Sequence, residues 1–376
     1  MSRNSYQMLG LMSGTSGDGL DMACCEFNFG SHWSHRLIKS KTSLFPEKLG
    51  EKLNQAHVLN GADLAILDRD FGKWMGEQVH YFCTSESLNP LAIASHGHTV
   101  FHQPQNRTSL QIGNGWDMLI ASGIPVINDF RNLDIALGGQ GAPLVPVGDR
   151  LLFADMDFCL NLGGICNISM EVSGERKAFD ICPFNLLLNR VIQKIGLPFD
   201  DGGKLARSGK LIPEFLKALD SVPFYTQKGA KSLGREDLEK DFFPLLNNLN
   251  DPEEDILFTI VNHYAGQISN VILSHLNGSE SKKLLATGGG AYHRFFMESL
   301  AQNLKGKVTI VDASPELIEF KEAIVFAFLG VLRLRGENNC LASVTGAKRD
   351  SCGGTMYGLG ENMTLEVSHS GPIKSH

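Results

Sequence analysis

Between apolar stretches that begin at Met8 and end at Ala23, the chain sets Ser13, Thr15, Ser16, Asp18 and Asp21 among Gly14, Gly17 and Gly19. A loop of this kind suits a phosphate. Glycines let backbone N–H groups converge on anionic oxygens, the hydroxyls add donors, and Asp18 can hold a cation. Carboxylates weaken a site for a bare anion but serve a nucleotide that carries magnesium. A glycine-rich hairpin turn is the ligand-free explanation of the same residues.

Asp180, in Lys177-Ala-Phe-Asp-Ile-Cys-Pro-Phe-Asn185, is the candidate for the chemistry. At the end of a short strand, its carboxylate can take a proton from an attacking hydroxyl or water; the other assignment is a cap for the helical segment from Asn185. Further back, His96 and His98 stand two apart and share one face of a strand, if they lie on one. Two such imidazoles invite a metal, but a zinc or iron site needs a third ligand, and His102 lies towards a Pro-bounded turn. Hydrogen bonding of His96 to a polyhydroxylated ligand, with Gly97 permitting close approach, is the other reading. Arg131 can pair with a ligand carboxylate, or with Asp129 or Asp134 at a strand end.

These residues need a frame, and the patterning supplies one. Strand-like and helix-like segments alternate, which indicates an α/β fold. Asp157 to Met170 repeats the strand, glycine turn and strand of the N-terminus, with Gly163-Gly164 at the turn. Two such hairpins holding opposite sides of a triphosphate imply an internal duplication. The expected lobes are 1–150 and 151–376. Asp255 to Leu276 has helical spacing with Gly278 as its stop, and Lys283-Leu-Leu-Ala-Thr287 reads as a strand. The following Gly288, Gly289, Gly290 and Ala291 let the backbone pass close under a base or ribose, or form a plain strand-to-helix corner. A further apolar helix spans Glu319 to Leu334. The loop Ser343 to Arg349, the segment Lys231 to Glu236 and the tail from Glu361 reveal no role, although Lys231 and Arg235 would permit a phosphate contact.

The chain has 376 residues, 34 basic and 41 acidic, for a net charge of −7 without long runs, which argues against nucleic acid and anionic membrane surfaces as partners. Eight cysteines show no CxxC pairing, and adjacent Cys24 and Cys25 suit a strand, so reduced and mostly buried thiols are expected. No uninterrupted apolar run of bilayer-spanning length is evident, and a soluble cytoplasmic protein is expected.

Eight segments in order, Gly14 to Asp21, Ser95 to Pro104, Asp129 to Arg131, Gly138 to Pro143, Leu160 to Gly164, Lys231 to Glu236, Gly288 to Ala291 and Ser343 to Ala347, together resemble the anhydro-N-acetylmuramic acid kinase family. The resemblance implies a two-lobed actin-like ATPase, a duplicated ribonuclease H-like fold with a central ligand cleft. It also implies a sugar kinase of peptidoglycan recycling that takes ATP, Mg2+, water and the anhydro sugar to N-acetylmuramic acid 6-phosphate, with a homodimer as the assembly. On that basis Asp180 is the general base. Gly14, Thr15, Ser16, Gly17, Asp18, Gly19, Leu20 and Asp21 hold the phosphates, with Asp18 on the metal and Gly163 and Gly164 opposite. Gly288 to Ala291 face the adenosine, and His96, Gly97, Arg131 and Glu322 face the sugar. Three departures from the family pattern stand out: Gly17 stands where a larger residue is usual, Cys182 and Phe184 replace the glycines after Asp180, and His98 replaces a Gln. The second departure admits a non-catalytic nucleotide or sugar sensor as an alternative, and His96 with His98 admits a metal-dependent hydrolase.

Overall fold

The computed structural model describes residues 4–13, 19–227, 229, 231–247, 249–276 and 281–359. Apolar alternation at the N-terminus builds an antiparallel meander: β1 (Ser5–Ser13), β2 (Gly19–Phe29) and β3 (Trp33–Leu44). Two strands then join β1 in parallel: β4 (Ile93–Ser95) beside β1, and after the β5 (His98–Gln103) and β6 (Thr108–Ile112) hairpin, β7 (Val126–Asn128) beside β4. β8 (Phe158–Leu162), β9 (Ile165–Val172) and β10 (Glu175–Pro183) repeat the meander. β11 (Lys282–Thr287) and β12 (Val308–Val311) repeat the parallel additions.

The first sheet runs β13-β7-β4-β1-β2-β3 and the second β10-β9-β8-β11-β12, where β13 (Thr355–Tyr357) is an extra antiparallel edge on β7. Apart from that edge, each sheet has the order 3-2-1-4-5 with only its second strand reversed. The internal duplication is therefore written in topology, and the fold is a duplicated ribonuclease H-like one.

The chain divides into two compact units, residues up to Leu152 together with those from Glu322, and Phe153–Lys321. This differs from the division at 150 with one uninterrupted lobe to 376. The cause is helix packing. In the first unit, Leu9 and Leu11 of β1 face a core that includes Leu67, Phe71, Met75 and Val79 of α1 (Gly61–Ser85), and α2 (Gly115–Ser122) adds Met118 to it. The opposite face of β1 is covered by the later part of a helix that starts far down the chain. A methyl placed on Gly10 would lie 1.8 Å from the Ala323 carbonyl oxygen, and one on Gly330 would lie 2.7 Å from the Ala94 methyl. A sheet buried on both faces loses its polar alternation, which explains the almost continuous burial of β1.

The second unit has one core, in which Leu160, Leu162, Ile168 and Met170 pack with α3 (Asn185–Ile192), α4 (Glu253–Ser274) and α5 (Arg294–Leu304). α4 begins and ends two residues before the sequence-based bounds, and Gly278 lies outside the described residues. By length and composition α4 is long and apolar enough to cross a membrane, contrary to the reading that no such stretch exists. Its Ile256, Ile260, Tyr264, Ile268 and Ile272 are nevertheless buried in the unit's core, so here it is a core helix. The helix expected from Glu319 is α6 (Pro315–Arg335), and the boundary between the units falls within it, after Lys321.

Candidate active site

The loop of the first hairpin, Gly14, Thr15, Ser16, Gly17 and Asp18, lies outside the described residues. Its flanks are fixed. Ser13, which ends β1, is buried and has its Oγ 3.2 Å from His98 Nδ1, so this histidine is tied to the end of the strand. A Cβ on Gly19 would come within 2.8 Å of the Ser43 carbonyl oxygen, so β3 itself requires this glycine. Leu20 is wholly buried in the first core, which removes its side chain from any ligand, and Asp21 accepts a hydrogen bond from Thr42 Oγ1 at 2.5 Å.

In the second hairpin Gly163 and Gly164 form a two-residue turn between β8 and β9. The Gly164 carbonyl accepts from the Phe184 and Leu186 N–H groups and that of Gly163 from Asn185 N–H, which ties the turn to the start of α3. Phe184, rather than Asp180, occupies the position before α3, so Asp180 is not its cap. Of the later glycines, Gly288 has φ +82° with a Cβ position 2.7 Å from Asn161 Oδ1, and Gly290 has one 2.3 Å from the Phe184 ring. Both are dictated by the chain's own packing. Gly289 opens onto free space, and it is the place in this turn where another molecule can approach the backbone. Ala291 packs, partly buried, against the core.

Asp180 stands in β10, an edge strand, three residues before its end and opposite Asn167 of β9. The register shifts between Asp180 and Cys182, a bulge that re-aims the strand at the candidate base. Asp180 Oδ2 accepts from the Leu233 N–H at 2.8 Å and from Ser232 Oγ at 3.2 Å, while Asp180 N–H donates to the Lys231 carbonyl at 2.9 Å. Burial pushes the carboxyl up from its ordinary value, and the bonds from Leu233 and Ser232 pull against it. The segment from Lys231 thus gains a role that its sequence hid: it acts chiefly through backbone groups, which leave no pattern of residue types. The Lys231 ammonium has partners within the chain. It lies 4.3 Å from the centre of the Phe224 ring and donates to the Phe224 carbonyl at 3.2 Å. Nothing is described of the Arg235 side chain.

Cys182 and Phe184 are both fully buried, the thiol directly opposite Cys166 and the ring against Tyr264 and Phe296. These departures from the family pattern fill the core behind Asp180.

In the first unit His96, Arg131 and Glu322 come together. Strand β4 stops at Ser95, and Gly97 turns with φ +76° before β5 starts at His98, so His96 and His98 do not share a strand face as expected. A Cβ on Gly97 would lie 2.6 Å from the Ile112 carbonyl oxygen, so the turn needs this glycine. His96 Nδ1 donates to the Gly97 carbonyl at 2.8 Å, and its Nε2 accepts from Arg131 Nη2 at 2.8 Å. Burial and then the Arg131 charge push His96 down to about 3, which fixes it as neutral. Among the described residues no three His, Cys, Asp or Glu side chains gather as metal ligands. With both ring nitrogens of His96 engaged, the metal-dependent hydrolase loses its basis.

Arg131 Nη1 donates to the Gly141 carbonyl at 2.7 Å, so neither Asp129 nor Asp134 is its partner. Burial lowers its pKa to about 10, against the opposing charge of Glu322, and the guanidinium stays a cation at neutral pH. Its Nε is buried without a hydrogen-bond partner among the described residues. Asp134, 1% exposed, accepts through Oδ2 from Gly141 N–H at 2.8 Å and through Oδ1 from Thr345 Oγ1 at 2.8 Å. Gln140 N–H also donates to the Thr345 carbonyl at 2.9 Å. The loop from Ser343 is thereby explained: it fastens the Gly138 to Pro143 segment on which Arg131 rests.

Two ribonuclease H-like sheets of one topology in a single chain are the build of the actin-like ATPase fold. A model of the family described as anhydro-N-acetylmuramic acid kinase matches residues 6–358, and the chain belongs to that family. The anhydro-N-acetylmuramic acid kinase of Shewanella putrefaciens is 37% identical over 370 residues, covering 93% of this chain and 97% of the relative. That of Shewanella sp. strain W3-18-1 matches to the same extent, 37% over 370 residues. Among solved structures, the (R)-2-hydroxyglutaryl-CoA dehydratase component A of Acidaminococcus fermentans has a TM-score of 0.44 at 10% identity, over 86% of this chain and 96% of that one. That likeness is too distant to bear on residue roles.

Proposed function

We propose that this chain takes 1,6-anhydro-N-acetylmuramic acid, water and ATP to N-acetylmuramic acid 6-phosphate and ADP in the cytoplasmic recycling of peptidoglycan. Asp180 accepts a proton from the water that attacks the anomeric carbon. The bridging oxygen released by ring opening attacks the γ-phosphorus in line. The observation that carries this is the Asp180 carboxylate, raised towards base strength by burial and held by Ser232 and Leu233.

Arg131 and His96 face the sugar, with Glu322 beside them; the fixed guanidinium suits a carboxylate on the substrate. Gly14 to Asp18 and Gly163-Gly164 hold the phosphates, and Gly289 admits the adenosine. Asp18 would hold magnesium, which would neutralise charge on the phosphates. Two copies of the chain form the working assembly.

A coupled assay for ADP release, with ATP, magnesium and the anhydro sugar, tests the reading. Turnover that requires sugar and collapses in Asp180→Asn is expected. Nucleotide binding without sugar-dependent turnover would instead support the sensor alternative.

A further inference from the structure

Strand β10 is the edge of its sheet, and an edge leaves backbone groups without a partner strand. At Asp180 that edge is covered by three successive residues: the Lys231 carbonyl takes the Asp180 N–H, and Ser232 Oγ and Leu233 N–H both donate to Oδ2. The bulge at this point loosens the pairing with β9, so the sheet alone does not fix the side chain. The covering segment has its own anchor, because the Lys231 ammonium is tied to the carbonyl of Phe224 and sits on its ring.

We propose that Lys231, Ser232 and Leu233 form a strap that positions the general base, holding Asp180 by Oδ2 so that Oδ1 is presented to the reacting water. This rests on the reading of Asp180 as the base. Both bonds fall on one oxygen, which orients the carboxylate as a clamp on one prong orients a fork. They also favour the anion, opposing the burial that favours its protonated form. The other groups about Asp180 are Asn167 and Cys166 on β9, Cys182 on β10, and Lys231 on the strap. The Cys182 thiol is kept protonated by burial, and Lys231 carries the nearby positive charge.

The test compares Ser232→Ala, Ser232→Thr, Lys231→Met and Asp180→Asn by steady-state kinetics on the full chain. Loss of one hydrogen bond to a carboxylate predicts that Ser232→Ala lowers kcat about tenfold, with KM for ATP and sugar changed by less than about twofold. The acid limb of its kcat/KM profile moves to higher pH, since the anion has lost a donor, and Ser232→Thr restores both. Lys231→Met, which frees the anchor and leaves Ser232 in place, lowers kcat as Ser232→Ala does; its limb also moves to higher pH, a shift to which the lost charge contributes directly. An unmoved limb and unchanged kcat in Ser232→Ala and Lys231→Met, beside an inactive Asp180→Asn, would overturn the strap and spare the base. Full turnover in Asp180→Asn would overturn both.

Discussion

Replacing Asp134 by Ala strips three buried donors of their acceptor at once, the Cys340 thiol 3.2 Å from Oδ1 being the weakest of them. The Gly141 N–H and the Thr345 hydroxyl each sit 2.8 Å from a carboxylate oxygen at a residue 1% exposed. A hydrogen bond to a charged group is worth about 1.5–3 kcal/mol, so the loss of the two stronger bonds sums to about 3–6 kcal/mol. In a unit of this size each kcal/mol moves the melting point by roughly 2–4 °C, which gives a fall of about 6–24 °C. Asp134→Asn separates geometry from charge. Its amide oxygen can still accept from Gly141 N–H while its NH2 donates to Thr345 Oγ1, whose own hydrogen can turn to the Leu341 carbonyl 3.4 Å away. It should therefore lose less than half as much. Differential scanning calorimetry reads both variants, with sugar KM measured in parallel because Gly141 also carries Arg131. An Asp134→Ala protein that melts within about 2 °C of the parent would refute the reasoning, since no relaxation of that loop would then be costing a hydrogen bond.

Other expectations follow from single positions. Gly289→Ala should leave the melting point unchanged, because its Cβ position is open, but raise KM for ATP if the nucleotide passes this turn; Gly290→Ala should destabilise, because its Cβ would meet Phe184 at 2.3 Å. His96 is about 3 in the folded chain and near 6.5 unfolded, so only the unfolded chain takes up its proton between those values, and stability falls as pH drops through that window. From pH 7 to pH 5 this amounts to about 2 kcal/mol, visible in urea midpoints and diminished in His96→Gln. Seven of the eight cysteines are buried and Cys352 is partly exposed, so a thiol reagent should label Cys352 alone in the native protein and all eight in urea.

Sequence patterning revealed what depends on repeating residue types. The two strand–turn–strand units, the core helix near Asp255 and the glycine turn after Thr287 all fell where apolar spacing and glycines put them. It was blind where a side chain's partner is set by distant backbone. His96 and His98 look like one strand face because spacing of two is all that sequence offers, and only the positive φ at Gly97 separates them. The Lys231 to Leu233 strap and the Asp134 tie to Thr345 join residues 51 or more positions apart through single bonds, which no local period encodes. The return of the chain at Glu322 was hidden for a similar reason: an apolar helix does not declare which sheet it will cover, and Gly10, which marks the place, reads as one more strand residue.

That return has a consequence for a chain made from its N-terminus. The Phe153–Lys321 unit is continuous and can close its core as soon as Lys321 has left the ribosome. The earlier-made unit cannot, because the groove over Gly10 and the edge beside Val126 wait for the helix and strand supplied by residues after 321. The part translated first is therefore the part finished last, and its half-covered sheet must be kept from misassembly until synthesis ends. A message truncated after Lys321 should yield a protease-resistant second unit joined to a digestible first one; resistance of both would show that the sheet closes without its late pieces.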